Sequence, residues 1–136
     1  ALVFRVSPRL RARAGTGAAQ ISDTPCELGE VMPVRVLGTL ALVDGGETDW
    51  KVIVVDARDK SSDAMQEIED VPEAKVSEMR EWFRNYKTAE GKGVNTFGLE
   101  ERAMPRKYAE NVIMETHESC AFAQLASLVQ VQPRSR

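Results

Sequence analysis

Two apolar segments separated by a glycine-glycine turn constrain this chain more than any other feature of its sequence. Residues 34–43 (VRVLGTLALV) and 50–55 (WKVIVV) are rich in β-branched and aliphatic side chains, which favour strands. Residues 44–48 (DGGET) lie between them, and the two glycines can adopt positive φ without steric cost. The pattern predicts a β-hairpin whose first strand bends at Gly38.

Two helices are predicted after the hairpin. The apolar face of the first recurs at spacings of three, four and three residues, at Val76, Met79, Phe83 and Tyr86. Asp70 and Glu73 have the spacing of a capping box around Pro72, which predicts that this helix begins there. A second helix is expected to have Pro105 in its first turn and to continue through Thr116.

Composition limits the classes of protein to which the chain can belong. The 136 residues are 43% hydrophobic and 29% charged, which is typical of a single globular domain. A net charge of −3 argues against general nucleic-acid binding. The sequence has no apolar run of about 18 residues, the length that a membrane-spanning helix needs. Two cysteines and one histidine are too few for a disulfide scaffold or a multi-histidine metal site.

The first 25 residues differ in charge from the rest of the chain. Residues 1–22 contain no acid and four arginines: Arg5, Arg9, Arg11 and Arg13. This composition suits either a disordered basic arm or the remnant of an organelle transit peptide. The expected location is therefore the cytoplasm, or a mitochondrion or chloroplast if the second interpretation holds. Residues 14–20 (AGTGAAQ) are small and predict a flexible linker.

Acidic and basic side chains gather at the predicted hairpin turn. Asp44 and Asp49 bracket the turn, and Lys51 follows two residues later. Because residues two apart on a strand point to the same side, Asp49 and Lys51 should project together, and the hairpin should return Asp44 to the same mouth. Two carboxylates and an ammonium could hold Mg²⁺ and a phosphate oxygen there. The alternative is a solvated acidic turn.

Tyr86 and Lys87 form a second candidate pair, at the end of the first predicted helix. Their hydroxyl and ammonium could both bind phosphate. The alternative is an aromatic side chain at the edge of the core beside a solvated lysine, which the dipole of the helix C-terminus favours. Trp50 and Trp82 are expected to pack in the core.

Four stretches, which include the hairpin and parts of both predicted helices, follow one another along the chain: VMPVRVLGTLALVDGGETDWKVIVVDARD, EIEDVPE, EWFRNYKTAEGKGVNTFG and KYAENVIMETHES. Together they resemble the soluble family I inorganic pyrophosphatases, in the order and spacing of the eukaryotic branch, from about Cys26 to Ser119. The resemblance implies an α+β fold, mainly β, with a partial OB-like β-barrel and two C-terminal helices. It also implies Mg²⁺-dependent hydrolysis of inorganic diphosphate to two phosphates.

The resemblance assigns roles to the candidate residues. Asp44 and Asp49 match the two metal-binding aspartates of the family hairpin, and Asp44 is also assigned to catalysis. Lys51 matches a lysine that contacts phosphate and acts in catalysis. Tyr86 and Lys87 match a tyrosine-lysine pair that binds the distal phosphate.

The chain also departs from the family pattern. The family motif D-x-D-P-x-D, which supplies three further metal aspartates, does not occur in residues 1–43, and neither do the earlier strands. Residues 26–119 are therefore interpreted as the C-terminal part of a pyrophosphatase-like domain that lacks its N-terminal half. A basic segment, 1–25, precedes this part, and a divergent tail, 120–136, follows it.

Two classes of function remain open at this point, and a third possibility is that the sequence is incomplete and that the whole protein contains the missing strands. The first is a diphosphatase, active alone or completed by another chain in a homo-oligomer or larger complex. The second is a non-catalytic structural subunit of a larger assembly. Because two aspartates can anchor at most one Mg²⁺ ion weakly, little turnover is expected from this chain alone.

Overall fold

A computed structural model describes residues 2–4, 16–22 and 30–129, with side chains described for 16–22 and 30–119. One six-stranded mixed sheet carries two helices. The four arginines of the basic segment lie outside the described residues, so the predicted arm or transit-peptide remnant stays a prediction.

The central hairpin forms as the sequence predicts. Strand β3 (Met32–Asp44) pairs antiparallel with β4 (Glu47–Asp56), and only Gly45 and Gly46 separate them. Their φ angles are +60° and +87°, a left-handed conformation that glycine adopts at little cost. Pairing at Asp44 opposite Glu47 therefore closes the hairpin with a two-residue turn.

The predicted bend at Gly38 is also present. The register between the two strands shifts between Val36 and Gly38, which marks a β-bulge. A Cβ atom at Gly38 would overlap the backbone oxygen of Met104 and lie 3.0 Å from Cβ of Ile68. Glycine is thus required here because a neighbouring backbone approaches the strand closely.

Four shorter strands complete the sheet along both edges of the hairpin. β2 (Thr16–Gln20) runs parallel to β4 on one side. On the other side, β1 (Leu2–Phe4), β6 (Met104–Pro105) and β5 (Thr96–Phe97) pair antiparallel with successive parts of β3. Strand β5 pairs nearest the turn, and this places the segment before it beside the hairpin end.

The prediction of a flexible linker over residues 14–20 is wrong. Thr16–Gln20 is strand β2, and Ala19 is 9% exposed. The small residues have low strand propensity, but five backbone pairings with β4 override it. The local sequence indicates only the low strand propensity of these residues and does not reveal their pairing with β4.

Each face of the sheet is covered by one helix. Helix α1 (Glu73–Asn85) inserts Val76 into one core cluster, and Met79 packs against it. Helix α2 (Arg106–Val129) packs Ala109 and Ile113 against the opposite face. The sheet contributes the fully buried side chains at the centre: Leu37, Leu40, Leu42, Val52, Ile53 and Val55. The predicted α+β class, mainly β with two helices, is confirmed.

Helix α1 begins directly after Pro72, as predicted, but the predicted capping box needs correction. Pro72 is the residue before the helix, and it has no side chain able to cap. The Asp70 carboxylate instead accepts the N–H groups of Gln66 and Glu67 at 2.8 and 2.9 Å, around the short 3₁₀ turn Ile68–Asp70. The second helix begins one residue after its predicted proline, which lies in β6. In the part of the chain that the structure describes, no helix is long and apolar enough to cross a membrane.

Candidate active site

The polar candidates lie where the apolar face under α1 reaches the hairpin turn. Leu40 is opposite Lys51 in the β3–β4 register, and Leu42 is opposite Asp49. Directly opposed residues of antiparallel strands project to the same face. Buried leucines therefore form the floor, and charged side chains continue the same face toward solvent.

The first ion pair lies within β4. Lys51 Nζ donates to Asp49 Oδ2 at 2.6 Å, with 13% of the lysine side chain and 21% of the aspartate side chain exposed. The Lys51 ammonium also lies 5.4 Å from the centre of the Phe83 ring on α1. The prediction that Asp49 and Lys51 project to one side is confirmed.

Gly17 of β2 leaves room for this lysine. A Cβ atom at Gly17 would lie 3.4 Å from Lys51 Nζ and 3.7 Å from its Cδ. The lysine therefore folds over a strand position that has no side chain. Sequence reasoning missed this role, because the run of small residues in β2 indicated only flexibility.

The second ion pair joins the hairpin to the segment that follows α1. Lys87 Nζ donates to Asp44 Oδ2 across 43 residues of chain, and 16% of the lysine side chain is exposed. The hydrogen bond from Lys87 lowers the pKa of the Asp44 carboxyl, and the nearby positive charges of Lys92 and Lys51 lower it further. The same hydrogen bond raises the pKa of Lys87. Asp44, Lys51 and Lys87 therefore share one electrostatic environment.

An aromatic cluster connects the two lysines. The Phe83 and Tyr86 rings meet edge to face with centres 5.9 Å apart, and Tyr86 stacks on Trp82 at 5.3 Å. Lys87 Nζ lies 5.4 Å from the Tyr86 ring centre. Lys51, Phe83, Tyr86 and Lys87 thus follow one another in contact. The two candidate pairs predicted separately from the sequence are therefore connected through these rings.

Trp82 is not in the core, contrary to the prediction. It is 60% exposed, one residue before Phe83 and therefore about 100° farther around the helix. Trp50 is half-buried, with its ring 5.7 Å from that of Tyr108. The position of Trp82 on the helix explains its exposure, because the face of α1 that carries Val76 and Met79 is the one that turns toward the sheet.

The site contains cationic and hydroxyl groups that suit an anion, and two carboxylates that suit a metal ion. Two ammonium groups and a phenol can neutralise and hydrogen-bond phosphate oxygens. Asp44 and Asp49 are hard oxygen donors, and Mg²⁺ is commonly held by one or two carboxylates together with substrate phosphates and water. Among the residues with described side chains, no three acidic, histidine or cysteine groups gather to hold a metal. Asp44 and Asp49 could therefore supply two of the ligands of one Mg²⁺ ion, whose other ligands would come from elsewhere.

Comparison with known proteins identifies the family to which the chain is similar. The family model described as inorganic pyrophosphatase matches residues 17–121. An inorganic pyrophosphatase of Zygosaccharomyces bailii is 45% identical over 74% of this chain and 36% of its own length. For the soluble inorganic pyrophosphatase 1, chloroplastic, of Chlamydomonas reinhardtii, these values are 38%, 79% and 39%.

A solved structure extends the likeness to three dimensions. It is the N-terminally truncated vacuolar soluble pyrophosphatase of Trypanosoma cruzi in complex with PPi. It superposes with a TM-score of 0.74 at 33% identity, over 79% of this chain and 42% of that one. The chain thus spans less than half the length of these relatives. By its sequence match and its fold, the chain belongs to the inorganic pyrophosphatase family.

Proposed function

We propose that this chain takes part in the Mg²⁺-dependent hydrolysis of inorganic diphosphate to two phosphates. One observation carries the proposal: two lysines from different elements each pair with an aspartate at the end of one hairpin. An anion with two phosphoryl groups would engage both ammonium groups together. The T. cruzi relative crystallised with PPi supports this choice of substrate.

Lys51, Tyr86 and Lys87 would bind and orient the substrate. Diphosphate hydrolysis places negative charge on the leaving phosphate, and preorganised cations and hydroxyls stabilise that charge. Lys51 and Lys87 are largely buried, so little water competes with an anion for their ammonium groups. Their role is electrostatic, and Tyr86 would add a hydrogen-bond donor beside Lys87.

Asp44 and Asp49 would hold Mg²⁺. When bound, the ion polarises phosphoryl oxygens and lowers the pKa of a coordinated water. Each aspartate now accepts from a lysine, so the two carboxylates would exchange that contact for the ion while the lysines turn to phosphate. Asp44 is the more accessible of the two, with 41% of its side chain exposed.

Turnover is expected to require further carboxylates. Diphosphate hydrolysis needs metal to shield charge and to activate water, and two aspartates supply few of the ligands for this. We therefore expect the isolated 136-residue chain to bind diphosphate and to hydrolyse it slowly. A complete site would form with additional acidic residues, supplied by a longer form of this protein or by another chain in a homo-oligomer or a larger complex.

Location follows from the same proposal. A transit-peptide remnant in residues 1–25 would indicate an organelle, the location that the name of the Chlamydomonas relative gives for that protein. A basic arm would leave the cytoplasm as the location.

Calorimetric titration of the full chain with diphosphate and Mg²⁺ tests the proposed function. Lys51→Met and Lys87→Met should each weaken binding by about tenfold or more, since a hydrogen bond to a charged group contributes roughly 1.5–3 kcal/mol. Lys107→Met is the matched control, because this lysine is 82% exposed on α2. Equal affinity in all three variants would refute the proposal and favour a non-catalytic structural subunit.

A further inference from the structure

The C-terminal end of α1 lies directly before Tyr86 and Lys87, so its anchoring decides where these side chains lie. The last four carbonyls of a helix have no partner within the helix. Two of them, on Phe83 and Arg84, are both bound by Asn95. The Asn95 side chain donates from Nδ2 to Phe83 O at 2.9 Å, and its backbone N–H donates to Arg84 O at 2.9 Å.

Neighbouring groups satisfy the other carbonyls of this helix end. Tyr86 N–H donates to Trp82 O at 2.9 Å, and Thr88 Oγ1 donates to Asn85 O at 2.7 Å. Asn85 Nδ2 donates to Glu81 O at 2.9 Å. These donors lie within four residues of their acceptors, whereas Asn95 lies at least ten residues from both of its own. Asn95 thus attaches the helix end to a distant part of the chain.

That distant part is the edge of the hairpin. Thr96 follows Asn95 and pairs with Val43, and Phe97 pairs with Leu42. Val43 directly precedes Asp44, the partner of Lys87. Asn95 is only 7% exposed, so water cannot easily replace its hydrogen bonds. One residue therefore joins the helix end that precedes Lys87 to the strand end that carries Asp44.

We propose that Asn95 is a positioning residue, which holds the end of α1 against the hairpin and so places Lys87 on Asp44 and on the phosphate-binding mouth. The expected effect of Asn95 on diphosphate affinity rests on the proposed function, whereas its effect on the position of Lys87 does not. The hydrogen bonds that Asn95 donates among the described residues go to the carbonyls of Phe83 and Arg84, so it acts on Lys87 through the helix end. The position of Lys51 depends on β4 and β2.

The first test observes the lysine ammonium groups of the ligand-free full chain by NMR. Asn95→Ala should give Lys87 the rapid solvent exchange of exposed Lys107, with the Lys51 signal unchanged. Both variants keep the backbone hydrogen bond to Arg84 O, and Asn95→Ser also retains a shorter side-chain donor, so it should give a smaller change and a folded protein. Asn85→Ala is the matched control, since it removes an amide-to-carbonyl bond from the same helix end. An unchanged Lys87 signal in both Asn95 variants would overturn the proposal, as would equal changes at Lys51 and Lys87.

The second test measures diphosphate affinity in a double-mutant cycle. Asn95→Ala should weaken binding about three- to tenfold when Lys87 is present, up to the effect of losing one charged hydrogen bond. It should have almost no effect in the Lys87→Met background and its full effect in the Lys51→Met background. Equal effects in both backgrounds would indicate a general structural role and overturn the proposal. If the parent chain binds no diphosphate, the proposed function fails, and the ammonium signals still decide the role of Asn95.

Discussion

The two ion pairs at the hairpin end are alike in chemistry and opposite in origin. Lys51 and Asp49 are two residues apart on one strand, while Lys87 and Asp44 are separated by 43 residues. The first pair needs only the alternation of side chains along β4. The second needs α1, the loop after it and β5 all in place. The same site thus contains one contact fixed by local geometry and one fixed by tertiary structure.

This difference has a consequence for stability. A local pair persists as long as its strand does, whereas a long-range pair separates when any element between its partners detaches. Disturbing the packing of α1 or β5 should therefore release Lys87 before Lys51. Disturbing β2 should do the reverse.

Leu42→Ala should have the largest effect, because this residue supports both pairs. Leu42 is fully buried, opposite Asp49 on one side and Phe97 on the other. Removing a buried leucine side chain costs about 2–5 kcal/mol of unfolding free energy. Urea denaturation measures the loss, and NMR should show both lysines released. A loss as small as that from an exposed leucine, such as Leu99→Ala, would contradict the account.

Gly17→Val should disturb the local pair alone. The valine methyl groups would occupy the space over which Lys51 folds, and overpacking costs about 1–3 kcal/mol. The Lys51 ammonium should leave Asp49, while Lys87 keeps its partner. Gly17→Ala serves as the control, because its Cβ would make only ordinary contacts at 3.4 and 3.7 Å. If Lys87 changes as much as Lys51, the two pairs are not independent.

Arg84→Met should disturb the long-range pair alone. Arg84 on α1 binds Glu101 at 2.7 Å and lies 5.4 Å from the Phe97 ring centre. Losing this partly exposed pair should cost about 0.5–1 kcal/mol and loosen Lys87 without moving Lys51. Arg102→Met is the comparison, since that arginine is 73% exposed and pairs outside the helix. Urea denaturation and the ammonium signals report the two effects, and a larger change in Lys51 than in Lys87 would contradict the prediction.

The smallest expected effect is on the pKa of the Asp44 carboxyl in the Lys87→Met variant. Lys87 lowers the pKa of Asp44 below its ordinary 3.8, and Arg58 does the same for Asp56 from two residues away. A carboxyl whose pKa is lower in the folded state than in the unfolded state stabilises the fold fully when the pH is above its unfolded-state pKa. This stabilisation disappears as the pH falls through the folded-state pKa. Lys87→Met should return the pKa of Asp44 toward 3.8 and leave that of Asp56 lowered. NMR titration of the carboxyl carbons measures both, and a fall of the Asp44 pKa would contradict the assignment.

The parts of the fold that sequence predicts are those with local causes. The hairpin, its bend at Gly38 and the shared side of Asp49 and Lys51 follow from alternation and glycine conformation. Strand β2 was not predictable from its small residues, because the pairing that forms it comes from β4. Asp70 has two possible sets of N–H partners within a few residues, and sequence spacing does not choose between them.

The candidate site divides in the same way. Helix periodicity placed Tyr86 and Lys87 at the end of α1, and the family resemblance favoured phosphate binding over a solvated pair. Neither could identify Asn95, because its role depends on hydrogen bonds to carbonyls that become available only where the helix ends beside β5. Residues that act through backbone groups have no side-chain pattern by which sequence can reveal them.

The central claim is that the hairpin end and the helix end form one anion site. Titration of the full chain with diphosphate, followed by the Cε signals of Lys51 and Lys87, tests it most directly. The account predicts that both signals shift along one binding curve with a single dissociation constant, while the signal of exposed Lys107 stays constant. Two different dissociation constants, or a shift of only one of the two lysines, would contradict it.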